Sequence, residues 1–239
     1  MSRDGSVKLS ERLQAIADMV TEGYSLADIG TDHAWIPVYL CQKGSIPSAI
    51  AMDVREGPLE GAARHIREAG MEDRIQVRLS DGLQKLEPGE AESVVMTGMG
   101  GSLICRILSD AGDKTGSFAE LILGPQSEAY LVRTFLEEHG FTIREEKMIL
   151  EDGKYYPILR AVPGTERRNS MTPEEIAFGP CLLANRDSVL YSWLIRKKET
   201  DERILKDLND TNSESAETRR KALREEAQLL EAALKRYEM

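Results

Sequence analysis

Cysteine, histidine and positive charge are all scarce in this chain of 239 residues. The three cysteines, at 41, 105 and 181, are odd in number and far apart. They offer neither a disulfide framework nor a paired metal site, and they suit a reducing compartment. Three histidines scattered at 33, 65 and 139 add no ligand cluster, so no metal is expected. No apolar run approaches the ~20 residues that a membrane span requires. Residues 1–8 lack the basic-then-apolar layout of a secretory signal. A cytoplasmic chain with no membrane partner is the expectation.

Lys and Arg number 31 against 41 Asp and Glu, a net charge of -10, which argues against a protein whose whole surface grips nucleic acid. The deficit is uneven. Residues 1–163 hold 17 Lys and Arg against 26 Asp and Glu, whereas residues 164–239 hold 14 against 15. In the second region the cations cluster, as Arg167-Arg168, Arg196-Lys197-Lys198, and Arg219-Arg220-Lys221 with Arg224. Such runs commonly mark a solvated helix face.

A dinucleotide fingerprint is also missing. Tyr24 to Ile29 is a short apolar run that ends at Gly30, and a helical pattern begins within four residues. Strand, tight turn and helix in that order open a doubly wound α/β domain and place a ligand at the strand's carboxyl end. Pyrophosphate binding there needs G-x-G-x-x-G, so that helix N-terminal amides can close on phosphate. Here the second and third glycine positions are Asp32 and Trp35. A carboxylate repels phosphate and an indole fills its space. The turn presents Asp28, Asp32 and His33 to a ligand that is cationic and phosphate-free, a description S-adenosylmethionine fits.

What is present is a regular alternation. An amphipathic helix over Lys8 to Val20 precedes strand one, and helices are expected over about Ala34–Lys43, Glu56–Gly70, Ser102–Ala111 and Ala129–His139. Strands fall at Ala49–Asp53, Ile75–Leu79, Ser93–Thr97 and Leu121–Leu123. Spacing of this kind gives a mostly parallel sheet covered on both faces. The pattern then changes: Phe141–Leu150 and Tyr155–Val162 are both strand-like and flank Asp152-Gly153, a hairpin signal. One of these two strands therefore runs against the parallel sheet.

A polar linker, Gly164 to Met171, leads to Thr172-Pro173-Glu174-Glu175, the start of a capped helix. After Gly179-Pro180 one long helical segment runs to about Leu208, with a turn over Asn209–Ser215. The last helix spaces Leu223, Ala227, Leu230, Leu234 and Tyr237 as a coiled-coil seam. The domains are expected at 1–163 and 164–239, the second an intramolecular antiparallel hairpin in a monomeric protein, with a dimerising coiled coil as the alternative.

Each strand end carries a polar group. Asp53 can accept both hydroxyls of a ribose; Asp81, with Gly82 behind it, can accept from an adenine amino group. Gly98-Met99-Gly100-Gly101 lets main chain pack against a flat ligand. Gln126, after strand five, stands where an acceptor molecule would approach.

The ordered set Asp-Ile-Gly-Thr-Asp-His-Ala-Trp-Ile-Pro (28–37), Asp53 with Glu56-Gly57-Pro58-Leu59, Ser80-Asp81-Gly82-Leu83, Gly98-Met99-Gly100-Gly101, Gly153-Lys154-Tyr155-Tyr156 and Phe178-Gly179-Pro180 resembles the bacterial tRNA (adenine-22-N1) methyltransferases over essentially the whole chain. Where that family carries glutamine-proline-asparagine after strand five, this chain has Gly124-Pro125-Gln126. The resemblance implies an α/β fold: a Rossmann-like class I methyltransferase sheet, mostly parallel with a C-terminal antiparallel hairpin, plus an α-helical coiled-coil hairpin. It implies methyl transfer from S-adenosyl-L-methionine to N1 of an adenine in the tRNA D-arm region. The expected cofactor contacts are Asp28, Gly30, Thr31, Asp32, His33, Asp53, Asp81, Gly82, Gly98, Met99, Gly100 and Gly101. Asp28, His33, Gln126 and Tyr155 are the catalytic candidates, with Trp35, Tyr155 and Tyr156 as possible platforms for an unstacked base. A methyltransferase acting on a small molecule or a protein, and a non-catalytic binding module, are the competing readings.

Overall fold

The computed structural model describes residues 7–164, 170–208 and 213–238. Two compact units divide the chain, Met1–Arg168 and Asn169–Met239. Arg167-Arg168, residues 165–169 of the expected linker and residues 209–212 of the expected turn lie outside the described residues.

The first unit is a seven-stranded sheet: β1 (Leu26–Ile29), β2 (Ala49–Asp53), β3 (Ile75–Leu79), β4 (Ser93–Thr97), β5 (Glu120–Gly124), β6 (Phe141–Glu151) and β7 (Lys154–Pro163). Their spatial order is β3-β2-β1-β4-β5-β7-β6. The pairs among β1 to β5 are parallel, and β7 pairs antiparallel with both β5 and β6. β1 and β2 are buried along their whole length, as parallel strands covered on both faces must be. Strand order reverses at β1, since β2 and β3 lie to one side and β4 to the other, and that reversal opens a crevice over the strand ends.

Helices α1 (Glu11–Ala17), α2 (Trp35–Lys43), α3 (Glu56–Glu68), α4 (Gly101–Asp110) and α5 (Ala129–Glu138) cover the sheet. Ser10 caps α1, accepting from the Leu13 amide, and the apolar face Ala15-Ile16-Ala17 joins the core. α2 stops where the residue patterning placed its end: Gly44 is left-handed (φ 75°), and the Gly44 and Ser45 amides bond back to Cys41 and Leu40. In the β6–β7 hairpin, Asp152 (φ 50°) and Gly153 (φ 74°) are both left-handed, the geometry a two-residue primed turn demands. β1 is shorter than expected, starting at Leu26 rather than Tyr24, and α1 is shorter than Lys8–Val20.

Two buried carboxylates knit the unit. Glu120 accepts from Thr21 N (2.8 Å), Thr21 Oγ1 (2.7 Å) and Ser93 Oγ (2.6 Å), joining the loop before β1 to β4 and β5. Glu146 on β6 pairs with Arg133 of α5 at 2.9 Å, both essentially without solvent exposure.

In the second unit, α6 (Pro173–Phe178) carries the full capping box between Thr172 and Glu175. The single long helix expected after Pro180 is instead two, α7 (Pro180–Ala184) and α8 (Ser188–Leu208). The break has a local cause: Arg186 is left-handed (φ 51°), and Asp187 Oδ1 accepts from the Leu190 amide to start the next helix. α9 (Glu214–Glu238) runs antiparallel to α8. Tyr191 faces Tyr237, Lys197 pairs with Glu226, and Arg220 reaches the Leu208 carbonyl, so pairing partners descend on one helix as they rise on the other. Leu190 and Leu194 of α8 and Ala216, Leu223, Leu230 and Ala233 of α9 are the buried seam.

The α4 N-terminus is held by a hydrogen bond from the Gly101 amide to the Ser127 carbonyl (2.9 Å) and by close packing. A Cβ on Gly101 would lie 2.4 Å from the Glu128 carbonyl oxygen, a backbone atom that cannot move aside cheaply. Gly101→Ala should lower unfolding stability by about 2–3 kcal/mol. Gly57→Ala, where nothing lies within 4 Å, should be neutral or slightly stabilising. Urea unfolding midpoints compare the two.

Candidate active site

Two cavities, of about 380 and 330 Å³, open over the carboxyl ends of β1, β2 and β4 and meet at Gly30, Asp53, Arg55, Thr97 and Gly98. The first is also lined by Asp28, Thr31, Asp32, Trp35, Gln126 and Arg12. The second is completed by Asp81, Gly82, Met99, Val54, Leu103 and Arg106, with Ile107 behind. One cavity is acidic; the other is partly apolar, lined by Val54, Leu103 and Ile107, with Asp81 among its residues.

The turn after β1 builds the acidic side. The Gly30 and Thr31 amides both donate to the Met52 carbonyl, at 2.8 and 2.9 Å, which folds the turn over the end of β2. Gly30 is left-handed (φ 73°), and a Cβ there would sit 2.8 Å from Met99 Cε. Asp28 is thus closed in beneath the turn, with Thr31 Oγ1 donating to its Oδ2 at 2.6 Å. Burial, reinforced by the charges of Asp32 and Asp53, pushes the Asp28 carboxyl up to about 6, against the Thr31 hydrogen bond, which pulls it down. Asp53 closes β2 with one oxygen, Oδ1, accepting from the Arg55 amide at 2.8 Å. Three carboxylates around one cavity repel any phosphate and attract a cation.

Glycine supplies close approach on the other side. Gly82 is left-handed (φ 53°), and a Cβ there would meet Ile107 at 2.7 Å. Gly98 (φ 79°) borders both cavities. Gly100 and Gly101 line neither cavity; they pack against Ser127 and Glu128, which joins the loop after β4 to the start of α5.

His33 and Tyr155 are also absent from the walls of both cavities. His33 and Ala34 are consecutive left-handed residues (φ 56° and 53°), a conformation that strains non-glycine residues and persists only where neighbours enforce it. That geometry turns the His33 ring onto α3, where a Cβ on Gly61 would lie 2.9 Å from its Nδ1. The His33 carbonyl meets His65 Nδ1 at 2.7 Å, and the His65 ring packs tilted, at 53° and 4.2 Å between centroids, against Trp35, which lines the acidic cavity. Tyr155 lies on β7 opposite Leu150; its neighbour Tyr156 lies under the Arg12 guanidinium, 4.8 Å from the ring centre.

Arg12, Arg55, Val54, Leu103 and Arg106 line the cavities without having been singled out by motif. Val54 and Arg55 follow Asp53 directly and could have been found by reading on from the strand. Arg12 carries no local signal, because its partner Glu151 lies 139 residues away.

A sheet in this order, closed by an antiparallel strand and with acids and glycines at its carboxyl rim, is that of a Rossmann-like methyltransferase. A family model described as a methyltransferase domain matches residues 9–159. The tRNA (adenine(22)-N(1))-methyltransferase of Bacillus subtilis is 38% identical over 158 residues, covering 66% of this chain and 66% of that protein. The crystal structure of the B. subtilis M1A22 tRNA methyltransferase TrmK superposes with a TM-score of 0.86 at 31% identity, over 95% of this chain and 99% of that one. Streptococcus pneumoniae Sp1610, solved in complex with S-adenosyl-L-methionine, gives 0.84 at 32% identity over 95% and 100%. The chain belongs to the tRNA (adenine-22-N1) methyltransferase family of the methyltransferase-domain proteins.

Because folding raises the Asp28 pKa to about 6 from 3.8, its ionised form destabilises the ligand-free fold at neutral pH. The folded state binds that proton more tightly, so this cost is full above pH 6 and fades as pH falls towards 3.8. Asp28→Asn should therefore stabilise the ligand-free protein by up to about 3 kcal/mol at pH 7.5, and by roughly half of that at pH 5. Denaturant titrations at the two pH values measure both.

Proposed function

We propose that this chain transfers the methyl group of S-adenosyl-L-methionine to N1 of adenine 22 in the D-arm region of tRNA, acting in the cytoplasm. The observation that carries the reading is the pair of joined cavities, acidic on one side and partly apolar on the other, with Asp53 at their junction. Asp28 and Asp32 suit the cationic methionyl end of the donor. Asp53 suits the ribose diol, and Asp81, with Val54 and Leu103, suits the adenine. When bound, the donor supplies an electrophilic sulfonium methyl.

The chain's own work is then positioning. Adenine N1 carries a free lone pair, so no strong general base is needed, and rate comes from holding nitrogen in line with the methyl. Gln126, exposed at the end of β5 and bordering the acidic cavity, is the group we assign to the acceptor face. Its amide carbonyl can stabilise the positive charge that methylation leaves on the base. Asp28 supplies the fixed negative field on the other side. A base must leave the RNA stack to enter, and Trp35, more than a third exposed and backed by His65, is the platform nearest the acids.

The sheet unit is acidic, so we assign the phosphate grip to the helical unit, the domain division being near residue 164. Arg196, Arg219, Lys221 and Arg224 are exposed there, whereas Lys197 is taken up by Asp201 and Glu226. The combined charge reversal Arg219→Glu, Lys221→Glu, Arg224→Glu should raise the KM for tRNA at least tenfold and flatten its salt dependence by two to three counterions, with donor affinity unchanged.

Incubation with labelled S-adenosyl-L-methionine and unmodified tRNA, followed by nucleoside analysis, tests the reading; 1-methyladenosine at position 22 is the expected product. Transfer to protein or a small molecule without RNA would sink it. Asp53→Ala should weaken donor binding about tenfold or more, while Gln126→Ala slows transfer with donor binding intact.

A further inference from the structure

The antiparallel end of the sheet outgrows its parallel part. β5 and β7 pair as far as Leu123↔Leu159, which sets the end of β5, at Gly124, level with Ile158. β6 and β7 go on pairing to Glu151↔Lys154. Lys154-Tyr155-Tyr156-Pro157 therefore rise past the carboxyl rim in a two-stranded ribbon, about 13 Å tall at 3.3 Å per residue. The ribbon stands beside the end of β5, whose following loop carries Gln126.

Side chains alternate between the ribbon's two faces. One face is occupied. Glu151 accepts from the Arg12 amide at 3.1 Å and from its Nε at 3.4 Å, the Arg12 guanidinium lies 4.8 Å over the Tyr156 ring, and Ile149, opposite Tyr156, packs on the core. A two-stranded ribbon alone is marginal in water, and these contacts with α1 hold it upright. The other face carries Leu150 opposite Tyr155 and Met148 opposite Pro157. Leu150 is 46% exposed and the other three are half-buried. The Tyr155 side chain makes no hydrogen bond or ring contact with any described residue.

We propose that the Leu150–Tyr155 face receives a base that flanks the target adenine, once the target has left the RNA stack. The assignment rests on the methyl-transfer reading above and extends it from the target nucleotide to its neighbour. Three observations fix the occupant. The exposed end of the platform is two side chains wide, the size of one planar ring, whereas a stable protein interface buries about 800 Å² per partner. Charge at the tip cancels, Glu151 against Arg12 and exposed Asp152 against exposed Lys154, which suits ring stacking and not a phosphate grip. Tyr155 lines neither cavity, so it is not placed for the target base itself, yet it rises from the same rim as Gln126, which borders the acidic one. A withdrawn base leaves its neighbour with one uncovered ring face, and an aromatic side chain can cover that face whatever the base.

The test compares intact unmodified tRNA with tRNA carrying an abasic residue on the 5′ side or, separately, on the 3′ side of adenine 22. With the wild-type full chain, one of the two abasic tRNAs should show kcat/KM lowered about tenfold or more, the range of a base–aromatic stack. Tyr155→Ala should methylate intact tRNA more slowly by that factor and lose nothing further on the abasic one. Leu150→Ala, a truncation at an exposed position, should shrink the penalty in part, and Tyr155→Phe, which keeps the ring, should preserve it. Because each variant is judged by a ratio between two RNAs, a general loss of stability does not imitate the effect. A penalty undiminished in Tyr155→Ala, or none at either position in the wild type, overturns the assignment while leaving methyl transfer intact. Wild-type protein that forms no 1-methyladenosine on intact tRNA overturns the methyl-transfer reading and this assignment with it.

Discussion

The Asp28 carboxylate sits in β1, where the strand order reverses, closed over by the turn that follows, with one hydroxyl donating to it and two further carboxylates in its field. Burying an unpaired negative charge is among the costlier things a fold can do. The surroundings that enforce it are the same ones that shape the crevice. The two amides that bond Met52 bring the turn over β2, and that movement both encloses Asp28 and brings Asp53 to the same cavity wall. A ligand that supplies positive charge relieves the repulsion, so stability forgone in the empty fold becomes selectivity for a cation over a phosphate.

The rim is held in shape by close packing where the glycines lie. Gly30 admits Met99, Gly82 admits Ile107, and Gly101 admits the Glu128 carbonyl, so the loops after β1, β3 and β4 are locked to neighbouring elements. None of these glycines works as a phosphate cradle does, by freeing amides at a helix N-terminus. The crevice is therefore the same topological switch point that dinucleotide enzymes use, furnished with the opposite charge.

Local rules carried most of the architecture. The strand ends at Asp53 and Thr97, the stop at Gly44, the capping box at Thr172 and the Asp152-Gly153 hairpin are all set by residues within a few positions of one another, and all stand where the patterning placed them. The break at Asn185-Arg186-Asp187 was hidden because no glycine or proline marks it; an arginine adopts the left-handed turn that glycine usually supplies. His33 was hidden differently. Its place in the motif suggests a ligand contact, yet two consecutive left-handed residues direct its ring onto Gly61 of α3.

By itself, the sequence determined the class of sheet, its antiparallel ending, the helical second unit and the acids at the strand ends. These follow from periodicity and turn chemistry, which act over a handful of residues. Tertiary structure alone decided which of those groups share a cavity, how far Asp28 is desolvated, and that a cation from the first helix faces them. Desolvation depends on everything packed around a group, and the Arg12–Glu151 contact joins residues 139 apart in the chain. No pattern along a chain encodes such a distance until the sheet has brought its ends together.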